Sequence, residues 1–179
     1  VRDNSIYLDQ LPEREHVAHS TASVRRRQRA FGYTEEELEE NFGGYLRAHA
    51  GKMGLDYAEY RERLKFWYNG YRFAKDDPVT VYNPVSIALT LVTPKREFEG
   101  HWTKTGRAAM LMNYIRREGM VAIDPDREIN AGEDDFNVND LSHINPIGML
   151  YQTGYQTITY NKDNLFTLAI PDKEVRQDL

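Results

Sequence analysis

The chain has 179 residues, of which 40% are hydrophobic and 28% charged, and its formal net charge is −5. This composition predicts an ordered globular protein, and the acidic balance disfavours non-specific binding to nucleic acid or to a membrane surface as its main role. The chain has no cysteine, which excludes disulfides, thiolate zinc sites and cysteine nucleophiles. No apolar run approaches the roughly 20 residues that cross a bilayer, so we expect a cytoplasmic protein with no membrane contact.

Residues 1–30 are polar and only weakly periodic, and we expect a poorly defined N-terminal segment there. Its basic cluster, "VRRRQR" at residues 24–29, is typical of a solvated arm. His16 and His19 are three residues apart and could share a helix face, but no third ligand is evident, so we interpret them as surface histidines.

Two amphipathic helices with similar start signals are predicted after residue 31. Thr34 caps the first while Glu37 reaches back, and Gly51 is the expected end. Asp56 and Glu59 form the corresponding pair in the second helix. The positions expected to be buried are Leu38, Phe42, Tyr45 and Leu46 in the first helix and Tyr57, Tyr60, Leu64 and Trp67 in the second. The two helices should pack as a hairpin.

The stretch "FWYNGYRF", residues 66–73, follows at the end of the second helix. We interpret Trp67 as part of the core and Asn69 with Gly70 as the helix end. Arg72 is predicted to face outward, where it could bond backbone carbonyls at the helix end or contact an anionic partner. The candidate residues for an interdomain or partner contact are Arg72, Tyr68 and Tyr71.

After Gly70 the pattern changes to short extended pieces, at residues 71–73 and 79–82, around a turn at 74–78. Asn83 and Pro84 are an N-cap and a first helical residue for a helix that ends before Pro94. A further helix is predicted over residues 106–117.

Residues 124–140 are acidic and lack periodicity, which predicts a long loop or linker. A short helix stopped by Gly154 follows, and then two alternating strands at 155–160 and 165–170 around a turn at 161–164. A new helix starts from Asp172. The order of helix, hairpin and helix is that of the closing part of a winged-helix module.

Searches for catalytic signatures in the sequence are negative. The nearest approach to a phosphate-binding loop has Leu46 at the first Gly position and Met53 at the hydroxyl position. None of the seven lysines has an acidic residue two positions earlier, so the acidic-x-Lys signature of PD-(D/E)XK nucleases is missing. The remaining polar candidates are interpreted as solvated or structural: Asp76 with Asp77, Asp134 with Asp135, His101 and His143.

Six blocks now stand in one order: "FGYTEEEL", "LKFWYNGYRF", "VYNPVSIAL", "HWTKTG", "LYQTGYQTI" and "LAIPDKEVR". This order resembles the bacterial AAA-ATPase-like proteins that commonly carry a C-terminal PD-(D/E)XK nuclease-like domain. The resemblance covers about residues 31–179. "SIYLDQ" is a counterpart of a strand in that family, and the residues between it and "FGYT" depart from the pattern as an insertion or a divergent stretch.

The resemblance implies that the chain is a piece of a longer protein, lying after a P-loop core and before the nuclease-like domain. It implies two partners, the protein's own ATPase core and its C-terminal domain. ATP and Mg²⁺ are implied only for that missing core, and we expect no cofactor, metal ligand or catalytic residue in this chain.

The predicted fold is α+β and mainly α, with a helical lid-like region at 31–119, an acidic linker at 120–135 and a winged-helix-like unit at 136–179. The expected function is a non-catalytic lid or coupling segment that relays nucleotide state to an attached domain. The alternative is a module that binds nucleic acid or a ligand through the winged-helix-like unit or the aromatic cluster. The residues that mark the predicted structure are Trp67, Asn69, Gly70, Asn83, Pro84 and Gly154.

Overall fold

A computed structural model shows an α+β chain that is mainly α, as the sequence predicts. The structure describes residues 32–73, 79–92, 95, 97–101, 124–136, 145–162 and 165–177. The predictions made for residues 1–30, for the turn at 74–78, for the helix at 106–117 and for His143 lie outside these ranges. None of the helices in the described ranges combines the length and apolarity needed to span a bilayer.

Helix α1, Glu35–Met53, begins with the predicted capping box. The Glu37 N–H donates to Thr34 Oγ1 (3.2 Å), and the Thr34 N–H donates to Glu37 Oε2 (3.1 Å). The predicted end at Gly51 is wrong, because the residue with left-handed geometry (φ 70°) is Gly54, whose N–H bonds the Gly51 carbonyl. Tyr45 is 70% exposed, although it was predicted to be buried, because the buried face passes instead through Leu46, His49 and Ala50.

Helix α2, Tyr57–Tyr68, starts at Asp56, whose side chain accepts a bond from the Ala58 N–H (2.9 Å). Glu59 pairs with Arg63 along the helix (2.6 Å) instead of completing a second capping box. The fully buried positions are Tyr60, Leu64 and Tyr68, spaced four apart, whereas the predicted core residues Tyr57 and Trp67 are only partly buried.

An ion network fixes α2 against the start of α1. Arg61 bonds Glu35, and its guanidinium lies 3.5 Å from a Glu39 carboxylate oxygen. Tyr82 donates to the second oxygen of Glu35 (2.6 Å). The Arg61 side chain is 12% exposed, whereas those of Glu35 and Glu39 are 44% and 38% exposed, so the network lies at the edge of the core and orients the two helices.

Strand β1, Asn69–Tyr71, continues directly from α2 and pairs with β2, Val81–Tyr82, in antiparallel orientation. The pairing starts at Asn69, two residues before the predicted strand. Tyr33 adds a bridge to the other edge of Tyr82. Helix α3, Pro84–Val92, begins as predicted, with Asn83 Oδ1 accepting the Val85 N–H (3.0 Å).

We call residues 32–101 the helical unit, because its helices share one core. The buried members of that core are Leu38, Leu46, Ala50, Tyr60, Leu64, Tyr68, Tyr82 and Ile87. Phe98, from the segment after α3, packs against this core, and its ring lies 5.4 Å from that of Tyr60.

We call residues 124–169 the sheet unit. It contains β3, Ile129–Ala131, a 3₁₀ helix, Glu133–Phe136, and helix α4, Pro146–Gln152. The hairpin strands β4, Thr157–Lys162, and β5, Leu165–Ala169, complete an antiparallel sheet of order β3-β5-β4. Its buried core is Ala131, Ile158, Phe166 and Leu168.

The prediction of an irregular acidic linker is wrong for residues 129–136, because β3 pairs with β5 and the 3₁₀ helix follows it. Helix α4 and its stop are as predicted: Asn145 caps the start, and Gly154 follows the end with φ 83°. Helix α5, Lys173–Gln177, begins after Asp172 as predicted, and Asp172 Oδ1 accepts the Val175 N–H (2.9 Å).

Candidate functional site at the junction of the two units

Arg72 joins the helical unit to the sheet unit. Its N–H donates to Thr157 Oγ1 (2.8 Å), and the same hydroxyl donates back to the Arg72 carbonyl (3.2 Å). Its Nη1 donates to the Thr159 carbonyl (2.7 Å). The sequence predicts that Arg72 faces outward, toward carbonyls at the helix end or toward a partner, whereas the structure places its guanidinium against a backbone carbonyl of β4.

Gly70 allows a close approach between the helical unit and the segment that follows the sheet unit. A Cβ at this position would lie 1.7 Å from the Pro171 carbonyl oxygen, and its φ is 158°. Any side chain would push the Pro171 backbone away, and L residues rarely adopt this φ, so both facts require glycine. The Asn69–Gly70 pair therefore has a second role besides ending a helix. The missing side chain of Gly70 lets the backbone that leads into α5 pack against it.

Tyr68 and Tyr71, the other two candidate contact residues, lie inside the protein, 0% and 7% exposed. The Tyr68 hydroxyl donates to the Glu99 carbonyl (2.8 Å), and burial raises its pKa to about 12. Burial also raises the pKa of Tyr71 well above its usual value, and the nearby carboxylates of Asp172 and Glu174 add to the effect.

Glu174 is the functional candidate that sequence reasoning misses. It is 0% exposed, and its carboxylate accepts bonds from Ser86 Oγ (2.6 Å) and from the His101 N–H. Val175 beside it is also fully buried, so α5 is anchored in the helical unit and packs against α2. A Glu in the first turn of a short charged helix gives no sequence signal of burial, because the same pattern is typical of a solvated helix start.

His101 belongs to this buried cluster. The residue is 4% exposed, Nε2 lies 3.2 Å from Thr90 Oγ1, and the ring stacks on Tyr68 at 5.9 Å between centroids. Of the two sequence interpretations of His101, solvated or structural, the structure supports the structural one.

A pocket of about 240 Å³ opens beside the junction. It brings together two segments that each combine a glycine with aromatic residues, at 69–73 and 151–157, and the start of α3. We call these two the Gly-aromatic segments. Its described lining is Tyr71, Arg72, Phe73, Asn83, Pro84, Tyr151, Gln152, Thr153, Gly154, Gln156 and Thr157. Sequence reasoning treats these segments separately, and nothing in their local patterns shows that they meet.

Asp135 has a structural role within the sheet unit. Its Oδ2 accepts the Gly132 N–H (2.8 Å), and its Oδ1 accepts a bond from Asn145 Nδ2 (2.7 Å). It thus ties the 3₁₀ helix to the cap of α4. Across the described ranges, no group of three or more His, Asp or Glu side chains is placed to hold a metal ion.

Comparison with known proteins gives no match among family models, curated proteins or solved structures. The contacts of the junction and the pocket beside it are therefore the structural evidence for function in this chain. Both lie between the helical unit and the sheet unit.

Proposed function

We propose that this chain is a non-catalytic coupling segment that relays movement from its helical unit to the sheet unit and α5. In the proposed full-length protein, which the resemblance describes as AAA-ATPase-like, the partners are its own ATPase core and a C-terminal domain. ATP and Mg²⁺ belong to that core. The observation that carries the proposal is the fully buried carboxylate of Glu174, bonded to two parts of the helical unit.

A segment that relays movement needs its parts to move together, since a loose joint would absorb the displacement. The helical unit is attached to the later part of the chain at two points. Arg72 bonds Thr157 and Thr159 on β4. Glu174 on α5 bonds Ser86 and His101. Two attachments at different points restrict rotation as well as separation. This arrangement favours transmission of a rigid-body displacement between two states.

The buried carboxylate also makes the attachment selective. Hydrogen bonds to a charged group contribute about 1.5–3 kcal/mol each, and losing one partner leaves a buried group unsatisfied. An incorrectly seated α5 would therefore leave Glu174, the Ser86 hydroxyl or the His101 N–H without its bond. The correct arrangement is favoured over near alternatives, which is the property that a coupling element requires.

The coupling can be tested with Glu174→Ala and with Glu174→Gln, which keeps the size of the side chain. We expect Glu174→Ala to increase hydrogen exchange in α5 and β4 by about tenfold or more, because it removes the acceptor of two bonds. Glu174→Gln, which retains one acceptor oxygen, should give a smaller increase. Equal exchange in the wild type and in both variants would contradict coupling through Glu174.

A second assay addresses the non-catalytic part of the proposal. The purified 179-residue chain should show no saturable ATP hydrolysis above a buffer blank. Saturable turnover that follows the protein through purification would contradict the proposal independently of the exchange result.

The nucleic-acid alternative has less support. Helix α4 contains no Lys or Arg, and the described part of the β4–β5 hairpin contains only Lys162. Phosphate contacts need a concentration of positive charge, and their strength falls steeply with salt. A mobility-shift titration at low salt tests the alternative, since the absence of a shift there would remove it.

A further inference from the structure

The pocket beside the junction contains a buried polar group without a partner. Gln156 is 3% exposed, and its Oε1 has no hydrogen-bond partner among the described residues. Gln156 also lines the pocket. Buried polar side-chain atoms nearly always have a partner, so an unpaired one beside a cavity indicates a group that would enter that cavity.

The carboxamide of Gln156 defines the chemistry of its complement. A carboxamide presents an acceptor oxygen next to a donor NH₂ in one plane. Its best partner is another planar group with a donor beside an acceptor, as in an amide, a lactam or the amino edge of a neutral aminopyrimidine ring. Exchanging the positions of the amide oxygen and nitrogen leaves this requirement unchanged.

Aromatic side chains form part of the pocket lining. The rings of Tyr71 and Phe73 are nearly parallel, 9° apart with centroids separated by 6.3 Å. Tyr151 contributes a third aromatic ring from α4. Aromatic surfaces favour a flat, unsaturated ligand over a branched aliphatic one, because a ring can stack or pack edge to face against them.

The size of the pocket and the charge of its lining restrict the class of ligand further. A volume of about 240 Å³ lies below the range of pockets for drug-sized ligands, so the pocket fits one or two fused rings. Arg72 is the sole charged side chain in the described lining, and its Nη1 already donates to the Thr159 carbonyl. The positive charge of Arg72 disfavours a cationic ligand, and the edge that Gln156 requires is found in neutral rings.

We propose that this pocket binds a small, uncharged planar heterocycle with an amide-like edge, the chemistry of a free nucleobase. The edge of the heterocycle pairs with the Gln156 carboxamide, and its faces contact the aromatic lining. Because residues of both units line the pocket, such a ligand bridges the helical unit and the sheet unit.

The test uses the full 179-residue chain and the free bases uracil and adenine as probes. Binding is followed by NMR through the side-chain NH₂ resonances of Gln156. We expect one of the two bases to shift these resonances saturably. The matched control 1,3-dimethyluracil keeps the ring but has no N–H, and should bind at least tenfold more weakly. Benzoate, an anionic ring, should bind no better than that control.

Gln156→Leu should change binding and stability in opposite directions. Leucine has a similar size but no polar atoms, so the variant should abolish base binding. It should also raise the melting temperature of the free protein by about 2–4 °C, because an unpaired buried amide is removed. Gln177→Leu, at an exposed position on α5 outside the described lining, is the matched control and should leave binding unchanged.

Phe73→Ala is a second variant that tests the lining. The Phe73 side chain is 42% exposed, so its removal should leave the fold intact and weaken base binding several-fold. Three results would overturn the proposal: no shift of Gln156 with either base, equal binding of 1,3-dimethyluracil, or a lower melting temperature for Gln156→Leu. The last would mean that the free protein already satisfies the amide. None of these results depends on whether the junction relays movement.

Discussion

The cores of the helical unit and the sheet unit are built from different chemistry. In the helical unit, Tyr60, Tyr68 and Tyr82 are all 0% exposed, and their hydroxyls bond His49, the Glu99 carbonyl and Glu35 respectively. In the described part of the sheet unit, the hydrophobic cluster consists of Ala131, Ile158, Phe166 and Leu168 and contains no tyrosine, whereas the buried polar residues Gln156 and Thr157 lie beside the junction.

The difference shows two ways to fix a small core. Apolar packing is non-directional, so the sheet unit relies on shape and on its strand hydrogen bonds. A buried tyrosine adds a directional bond, because its hydroxyl must reach a partner. The arrangement of the helical unit therefore depends on polar partners at the margin of its core. Its stability should fall at the high pH at which tyrosine hydroxyls ionise.

The largest expected effect comes from truncating either core. Leu64→Ala in the helical unit and Leu168→Ala in the sheet unit remove fully buried side chains and should each lower the free energy of unfolding by about 2–5 kcal/mol. Urea denaturation measures the change. Phe66→Ala is the control, since Phe66 is 64% exposed and its loss should cost less than about 0.5 kcal/mol. A large cost for Phe66→Ala would contradict the core assignment.

The next-largest expected effect on stability tests the close approach at Gly70. Gly70→Ala should destabilise the protein by about 1–3 kcal/mol, because its Cβ would collide with the Pro171 backbone. Gly44→Ala is a matched change within α1, where a Cβ meets nothing within 4 Å. It should stabilise the protein by about 1 kcal/mol through helix propensity. Thermal denaturation that gave both variants the same sign would show that Gly70 does not make this close approach.

A further effect tests the tyrosine core through pH. Burial raises the pKa of Tyr68 from 10.0 to about 12, and it also raises the pKa values of Tyr60 and Tyr82. A raised folded-state pKa contributes stability that is complete below pH 10 and is lost as pH rises toward 12. We expect the free energy of unfolding to fall across this window, with Tyr68 contributing about 1–3 kcal/mol.

The comparison that isolates this contribution is Tyr68→Phe against Tyr45→Phe. Tyr68→Phe should lose stability at pH 8 but show a shallower decline between pH 10 and 12, because one buried hydroxyl no longer ionises. Tyr45 is 70% exposed, so Tyr45→Phe should follow the wild-type curve. Parallel declines in the wild type and Tyr68→Phe would argue against a role for this hydroxyl.

Local signals predict the parts of this fold that depend on neighbouring residues. The Thr34–Glu37 box, the Asn83 cap and the Gly154 stop each involve residues within four positions of one another, and all three are found. Gly51 and Gly54 show the limit of this reasoning, because two glycines three residues apart offer equally good local ends.

The features that the sequence does not predict are contacts between residues far apart in the chain. Strand β3 is three residues long, too short to show a period, and its partner β5 lies more than 30 residues further on. The bond from Arg72 to Thr159 spans 87 positions. The meeting of the two Gly-aromatic segments in one pocket is of the same kind, since each segment alone is explained by a helix end.

The bond between Ser86 and Glu174 joins residues 88 positions apart, which has a consequence for synthesis. At about 5–20 residues per second, a ribosome needs roughly 4–18 seconds to add the residues between them. The helical unit can form during that interval, but the Ser86 hydroxyl and the His101 N–H have no carboxylate until α5 emerges. The nascent chain thus presents an unfilled docking surface for seconds, and a chaperone that binds there would compete directly with α5.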